Sequence, residues 1–267
     1  MKDLLLTSVR DEADALRKRN RAREFLQARI LLSLQDHGAF GDWAFVGGTA
    51  LRFLYDLPRY SEDLDFSLRA PDCDTRLTSI MKAVKSDLAA EAYDVEVRAR
   101  EQRTVAAAMI KFTGLLYELG ISPHRSETFV VKVEIDRNPP EGAGFTTRLI
   151  RKQYLLHLMQ YDKASLLAGK LHAVLTRRYT KGRDLYDLIW YLASSDWPAP
   201  NLTLLNNALR QTGWEGDALT GDSWRKAVAG RLKTVAWPQA KADVAPFLER
   251  SQEVSLITWE TFERLLR

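Results

Sequence analysis

Several classes of protein are excluded by what this sequence lacks. A single cysteine, Cys73, stands among 267 residues. That rules out a disulfide scaffold and a thiolate zinc site, and it suits a reducing, cytoplasmic setting. No apolar run reaches the roughly 18 residues of a membrane span, so no membrane association is expected. The N-terminal stretch MKDLLLTSVRDEADALRKRN has no apolar segment followed by a small-residue cleavage site, so no secretory signal is expected. The four histidines, His37, His124, His157 and His172, lack metal-ligand spacing. The Walker pattern G-x-x-x-x-G-K-[ST] is absent, so this is not a P-loop protein. Neither sign of charge dominates: 39 Lys and Arg against 35 Asp and Glu leave +4. That is a mild bias towards anionic partners such as nucleotides or RNA.

What is present is a core and two kinds of periodicity. Hydrophobic residues make up 46% of the chain. Leu16, Phe25, Ile30, Leu31 and Leu34 recur at helical spacing and predict a helix over 9–36. WAFVGGTALRFLYDL reads as a strand over 43–46, a Gly-Gly turn and a helix over 49–57, ended by Pro58. SEDLDFSL alternates as a strand, with Leu64, Phe66 and Leu68 on one face and Asp63, Asp65 and Ser67 on the other. A helix over 74–91 follows, then strands over 93–100, 105–119 and 127–136, and TTRLI as a last strand. Beyond about residue 155 the pattern turns helical, with Asp162 as an N-cap and helices over 162–178 and 182–195. The expected architecture is α/β (α+β): residues 1–155 as a mixed sheet with flanking helices, and residues 156–267 as an α-helical C-terminal domain.

Asp63 and Asp65 repel each other, and such a pair needs a reason. Side chains two apart on a strand lie about 6–7 Å apart on one face. Two carboxylates so placed can share a divalent ion, whose charge offsets their repulsion. Mg2+ favours few protein carboxylates together with substrate phosphates. The plainer reading is that both face water at a sheet edge. Upstream, Val46-Gly47-Gly48-Thr49 forms a strand, a glycine turn and a helix start. Glycine lets backbone amides approach a phosphate, and a helix N-terminus attracts anions. Thr49 adds a hydroxyl, or caps the helix. A third carboxylate is sought on VVKVEID, where Glu134 and Asp136 share a face. Glu134 is favoured because it lies deeper in the strand.

GGTALRFLYDLPRYSEDLDFSL resembles the first motif of the AbiEii/AbiGii toxin-type nucleotidyltransferases, which belong to the polymerase-beta-like superfamily. Gly47, Gly48, Thr49, Arg59, Ser61, Asp63, Leu64, Asp65 and Phe66 fill it. AGKLHAVLTRRYTKGRDLYDLIWYL is similar to the family's second motif, filled by Lys170, Ala173, Arg177, Lys181, Arg183, Asp184, Asp187 and Leu188. The matching stretches cover residues 46–68 and 168–192. The resemblance implies a polymerase-beta-like sheet followed by a helical domain, with the active site in the groove between them. It implies a toxin that transfers NMP from NTP to an RNA acceptor, as MenT-like enzymes do to the tRNA 3′ end, and a cognate antitoxin as partner. Asp63 and Asp65, with Glu134, would hold two Mg2+ ions, or Mn2+ in their place. Gly48 and Thr49 would cradle the triphosphate, and Lys170 and Asp184 would form the second catalytic pair.

The residues of the second motif also carry their own physics. Lys170 and Asp184 fall on consecutive helices that can pack antiparallel and bring them together. An ordinary inter-helix salt bridge is the plainer alternative. Arg183 joins a basic cluster suited to phosphates, and its i,i+4 spacing suggests a structural pair with Asp187. Ser61, at the mouth of the expected site, is a candidate for silencing by phosphorylation. Two rivals stand beside the main reading. A kinase-like phosphotransferase would yield a nucleoside diphosphate. A non-catalytic nucleic-acid or partner-binding module would turn over no NTP.

Overall fold

A computed structural model describes residues 1–267. The chain runs α1 (Lys2–Ser8), α2 (Ala15–Asp36), β1 (Trp43–Val46), α3 (Gly47–Tyr55), β2 (Leu64–Leu68), α4 (Leu77–Ala90), β3 (Val95–Arg100), β4 (Val105–Thr113), α5 (Leu115–Glu118), β5 (Thr128–Asp136), β6 (Phe145–Arg151) and β7 (Leu155–Tyr161). Helices α6 (Lys163–Thr176), α7 (Gly182–Ala193), α8 (Leu202–Gln211), α9 (Trp224–Leu232), α10 (Trp237–Val244) and α11 (Trp259–Leu265) complete it. No helix is long and apolar enough to cross a membrane.

The seven strands form one mixed sheet in the order β3-β4-β5-β2-β1-β7-β6. Strand β2 is antiparallel to β1 and parallel to β5. Strands β4 and β5 alternate between buried and partly exposed residues along nearly their whole length. One face of the sheet is therefore core and the other stays open to polar side chains. On the core side Phe45 stacks on Phe66 at 5.2 Å between centroids, and Phe66 meets Trp43 at 5.5 Å. The register Phe45↔Phe66 puts those rings directly opposite each other, where aromatic pairs stabilise a sheet by about 0.2–1 kcal/mol.

Several sequence expectations shift in detail. The helix over 9–36 starts only at Ala15, because Asp14 takes an extended conformation and caps α2 by accepting from the Arg17 N–H; a separate short helix, α1, precedes it. The strand over 105–119 ends at Thr113, where Gly114 turns into α5 at a φ of 71°. Strand β7 was unforeseen. It lies where the reading turned helical, and it joins β1 in parallel through Phe45↔Gln160. Parallel pairing comes through a distant crossover, so no local turn announces it.

The chain divides into two compact units. One comprises residues 1–54, 60–139 and 147–160; the other comprises 55–59, 140–146 and 161–267. The first unit holds most of the sheet with α1, α2, α4 and α5. In the second unit α6 begins at Asp162, whose side chain accepts from the Ser165 N–H, as the sequence indicated.

Candidate functional site

In the first unit, β1 ends and α3 begins without an intervening loop. Gly47 makes the turn at a φ of +77°, a conformation that L side chains rarely adopt. A Cβ on Gly47 would also lie 2.6 Å from Oδ2 of Asp65. The turn is thus glycine for two reasons, and both press the backbone against the aspartate. Gly48 and Thr49 follow, both buried. The Thr49 hydroxyl donates to the backbone carbonyl of Asp63. Its side chain ties α3 to the segment before β2.

The sequence alternation of β2 is realised. Leu64, Phe66 and Leu68 are buried, while Asp65 is half-buried on the other face. Asp63 stands just before the strand and is also half-buried. Register then adds the third carboxylate. Asp65 is the direct partner of Glu134 on the parallel strand β5, with strands about 4.8 Å apart. Asp136 lies one pair further along, opposite Ser67. Burial pushes the Asp136 carboxyl above its ordinary value, against a hydrogen bond from the Asn138 N–H. Asp136 is thus driven towards its neutral form.

A residue that sequence reasoning missed stands in this group. Lys132, two before Glu134 and on its face of β5, places Nζ 2.7 Å from Glu134 Oε1. The hydrogen bond to Glu134 raises its pKa against the cost of burial, and the fields of Glu134, Asp63 and Asp65 add to that. The available signal was the alternation of VVKVEID, which puts Lys132 and Glu134 on one side. Their approach to Asp63 and Asp65 needed the β2–β5 register.

No three or more His, Cys, Asp or Glu side chains are drawn together tightly enough to cage a metal ion. Asp63, just before β2, and Asp65 and Glu134, paired across β2 and β5, are carboxylates of the kind that Mg2+ takes when water and phosphate oxygens complete its shell.

Ser61 and Glu62 lead into β2, and their carbonyls accept from Gln27 Nε2 at 3.1 and 3.0 Å. The Ser61 side chain is half-buried. Gln27 is thus a further missed residue: an amide on α2 that fixes the approach to the aspartates.

The second unit contains a buried ion network. Lys170 on α6 places Nζ 2.7 Å from Asp184 Oδ1 and 2.7 Å from Asp187 Oδ2, both on α7. The sequence expectation that Lys170 and Asp184 meet is thus realised. Arg59 holds both oxygens of Asp187 at 2.6 Å in a bidentate pair. Arg177 pairs with Asp184. Asp187 therefore serves Arg59 and Lys170, not Arg183, the partner its spacing suggested; both of its oxygens are engaged with those two. Arg183 lays its guanidinium over the Phe247 ring at 4.4 Å.

Most of these charges are hidden from water: Arg59 is 2% exposed and Asp187 0%, while the Arg177 side chain is 43% exposed. Burial opposes the Lys170 ammonium, but Asp184 and Asp187 outweigh it and raise its pKa. Burial likewise opposes the Asp184 carboxylate, and Lys170 and Arg177 outweigh it and lower its pKa. The buried cations Arg59 and Lys170 balance the buried carboxylates Asp184 and Asp187, and Arg177 adds its charge at the surface.

A family model described as "Nucleotidyl transferase AbiEii toxin, Type IV TA system" matches residues 29–267. Two solved structures share the fold. One is a candidate nucleotidyltransferase from H. pylori, 17% identical, with a TM-score of 0.54 over 91% of this chain and 93% of that one. The other is JHP933 from Helicobacter pylori, also 17% identical, with a TM-score of 0.54 over 92% and 91%. A comparison with curated proteins found no match.

Proposed function

This chain belongs to the AbiEii family of nucleotidyltransferase toxins, and we propose from that premise that it transfers NMP from an NTP to an RNA hydroxyl, foremost the tRNA 3′ end. Membership makes it a nucleotidyltransferase of the toxin–antitoxin type. In the proposed reaction the acceptor oxygen bonds the α-phosphorus and the hydroxyl proton passes to solvent. The bond from that phosphorus to the β-phosphate oxygen breaks, and pyrophosphate leaves. Translation then stops for want of usable acceptor ends.

The observation that carries this reading is the pairing of Asp65 with Glu134 beside the Gly47 turn. Asp63, Asp65 and Glu134 would hold two Mg2+ ions, or Mn2+, which would supply the charge that acidifies the acceptor hydroxyl and neutralises the triphosphate. The chain's own contribution is positional. The Thr49 hydroxyl pins Asp63, and Gln27 pins the two residues before it. The amides of Gly48 and Thr49 open α3, where backbone N–H groups and the helix dipole favour a phosphate. Lys170, Asp184 and Arg183 are assigned to nucleotide binding through the family's second motif.

The toxin–antitoxin setting brings a cognate antitoxin into the reading. Phosphorylation of Ser61 would add about 1.5 to 2 negative charges two residues from Asp63, repelling the triphosphate. An unchanged intact mass after co-expression with the antitoxin would remove that route.

The test is incubation with each α-labelled NTP and total RNA, followed by sizing of the labelled product and analysis of the released nucleotide or pyrophosphate. Label in tRNA-sized RNA with pyrophosphate released is the expected result. A nucleoside diphosphate as product, with label absent from RNA, would transfer the case to the phosphotransferase.

A further inference from the structure

We propose that the loop between α6 and α7 is a docking point for single-stranded RNA, with Tyr179 stacking on an unpaired base and Arg178 and Lys181 holding the flanking phosphates. The inference rests on the proposed reading of RNA as the acceptor. It adds a contact surface to that reading, and two residues, Arg178 and Tyr179, that fill no position of the matching motifs.

Helix α6 ends at Thr176 and α7 begins at Gly182. The residues between read Arg-Arg-Tyr-Thr-Lys: three cations, one aromatic ring and no acid. All but Thr180 are exposed. Tyr179 is 75% exposed, while Tyr117, the next most exposed ring, reaches 42%. A ring so placed leaves a large apolar face in water for a planar partner to cover. The Arg178 guanidinium carbon lies 5.4 Å from the centre of that ring, so cation and ring meet solvent together.

The loop is also held in shape. Arg231 on α9 donates through Nη2 to the carbonyls of Arg177 and Arg178, at 2.6 and 3.3 Å, and through Nε to that of Val174 at 3.3 Å. Arg177 turns its guanidinium to Asp184. The side chains of Arg178, Tyr179 and Lys181 thus reach into solvent from a pinned backbone, which lowers the entropy lost when a ligand is bound.

This combination selects its ligand. Stacking on a side chain needs an unpaired base, because a duplex hides the faces of its bases. It is worth roughly tenfold to a hundredfold in affinity. Cations before and after the ring suit a strand that carries a phosphate at every nucleotide. An acidic protein segment would satisfy the cations but give the ring no planar partner.

Fluorescence anisotropy on the full chain tests this with a labelled, unstructured RNA of about 12 nucleotides, alone and in a duplex, without NTP or added metal. The single strand should bind more tightly than the duplex. Tyr179→Ala should weaken the single strand about tenfold or more and leave the salt dependence unchanged. Tyr179→Phe, which keeps the ring, should bind as the wild type does. Arg178→Gln should make the slope of log affinity against log salt shallower by about 0.7. Wild-type affinity in Tyr179→Ala, or a duplex bound as tightly as the single strand, would overturn the stacking role and leave the transfer reading standing. Loss of nucleotide affinity in Tyr179→Ala, with RNA affinity intact, would give the ring to the NTP base and overturn it too. Single-strand binding that depends on Tyr179, in a chain that transfers no label to RNA, would uphold the docking loop while the transfer reading falls.

Discussion

A Cβ placed on Gly47 would come within 2.6 Å of Oδ2 of Asp65. The first residue of α3 and the second of β2 thus lie against each other with no room for a side chain on Gly47. The Gly47→Ala variant should lose about 1–2 kcal/mol to its left-handed backbone and displace the Asp65 carboxylate as well. Urea unfolding reads the first effect and label incorporation the second. Transfer at the wild-type rate would show that the Asp65 position is not critical.

The two acidic residues of β5 make a sharper comparison. Glu134→Gln should lower nucleotide transfer by about 100-fold or more, the scale of removing one charge-stabilising group from an active site. Asp136→Asn should stay within a few-fold, because burial already pushes that carboxyl towards its neutral form. Equal losses in both variants would remove Glu134 from its favoured place. Asp63→Asn and Asp65→Asn should abolish transfer outright.

Within the buried network, truncating one partner strands the others. Arg59→Met leaves Asp187 buried with Lys170 as its remaining partner and should cost about 3–5 kcal/mol of unfolding free energy. Lys170→Met should cost a similar amount, since its ammonium satisfies Asp184 and Asp187 together. Chemical denaturation measures both. A loss below about 1 kcal/mol in either would place these pairs with ordinary surface bridges. A Lys170 variant that stays folded yet cannot use NTP would separate its binding role from its structural one.

The same network sets a pH window. Asp184 has a lowered folded-state pKa, from an ordinary value of 3.8. Its contribution is therefore present above that value and is lost as pH falls through the lower folded value. Lys170 is raised from 10.5, so its contribution is present below 10.5 and is lost as pH rises through the higher folded value. Asp184→Asn should flatten the acid limb of the stability curve, measured by thermal melts from about pH 2 to pH 7. An unchanged acid limb would contradict the pairing.

Much of the site was legible because its logic is local. Strand alternation put Asp65 opposite Leu64 and Phe66, the Gly-Gly pair marked the turn, and two consecutive helices packing antiparallel brought Lys170 to Asp184. What failed was everything that depends on which distant segments become neighbours. LLHLMQY gave no sign of pairing with WAFV, since a parallel partner is chosen across more than a hundred residues of chain. Asp187 seemed matched to Arg183 by spacing, yet it went to Arg59, which is 128 residues away. Side-chain spacing on one helix is worth only a few tenths of a kcal/mol. A buried bidentate arginine outweighs that.

By itself, then, the sequence determined the period of each element, the face of each carboxylate and the turn that only glycine can make, because these follow from backbone sterics over a few residues. The tertiary structure alone decided that Lys132 would sit among the acids and that Arg59 would close the Lys170 network. Strand register and burial are properties of the assembled sheet and helices, and no short stretch of chain contains them.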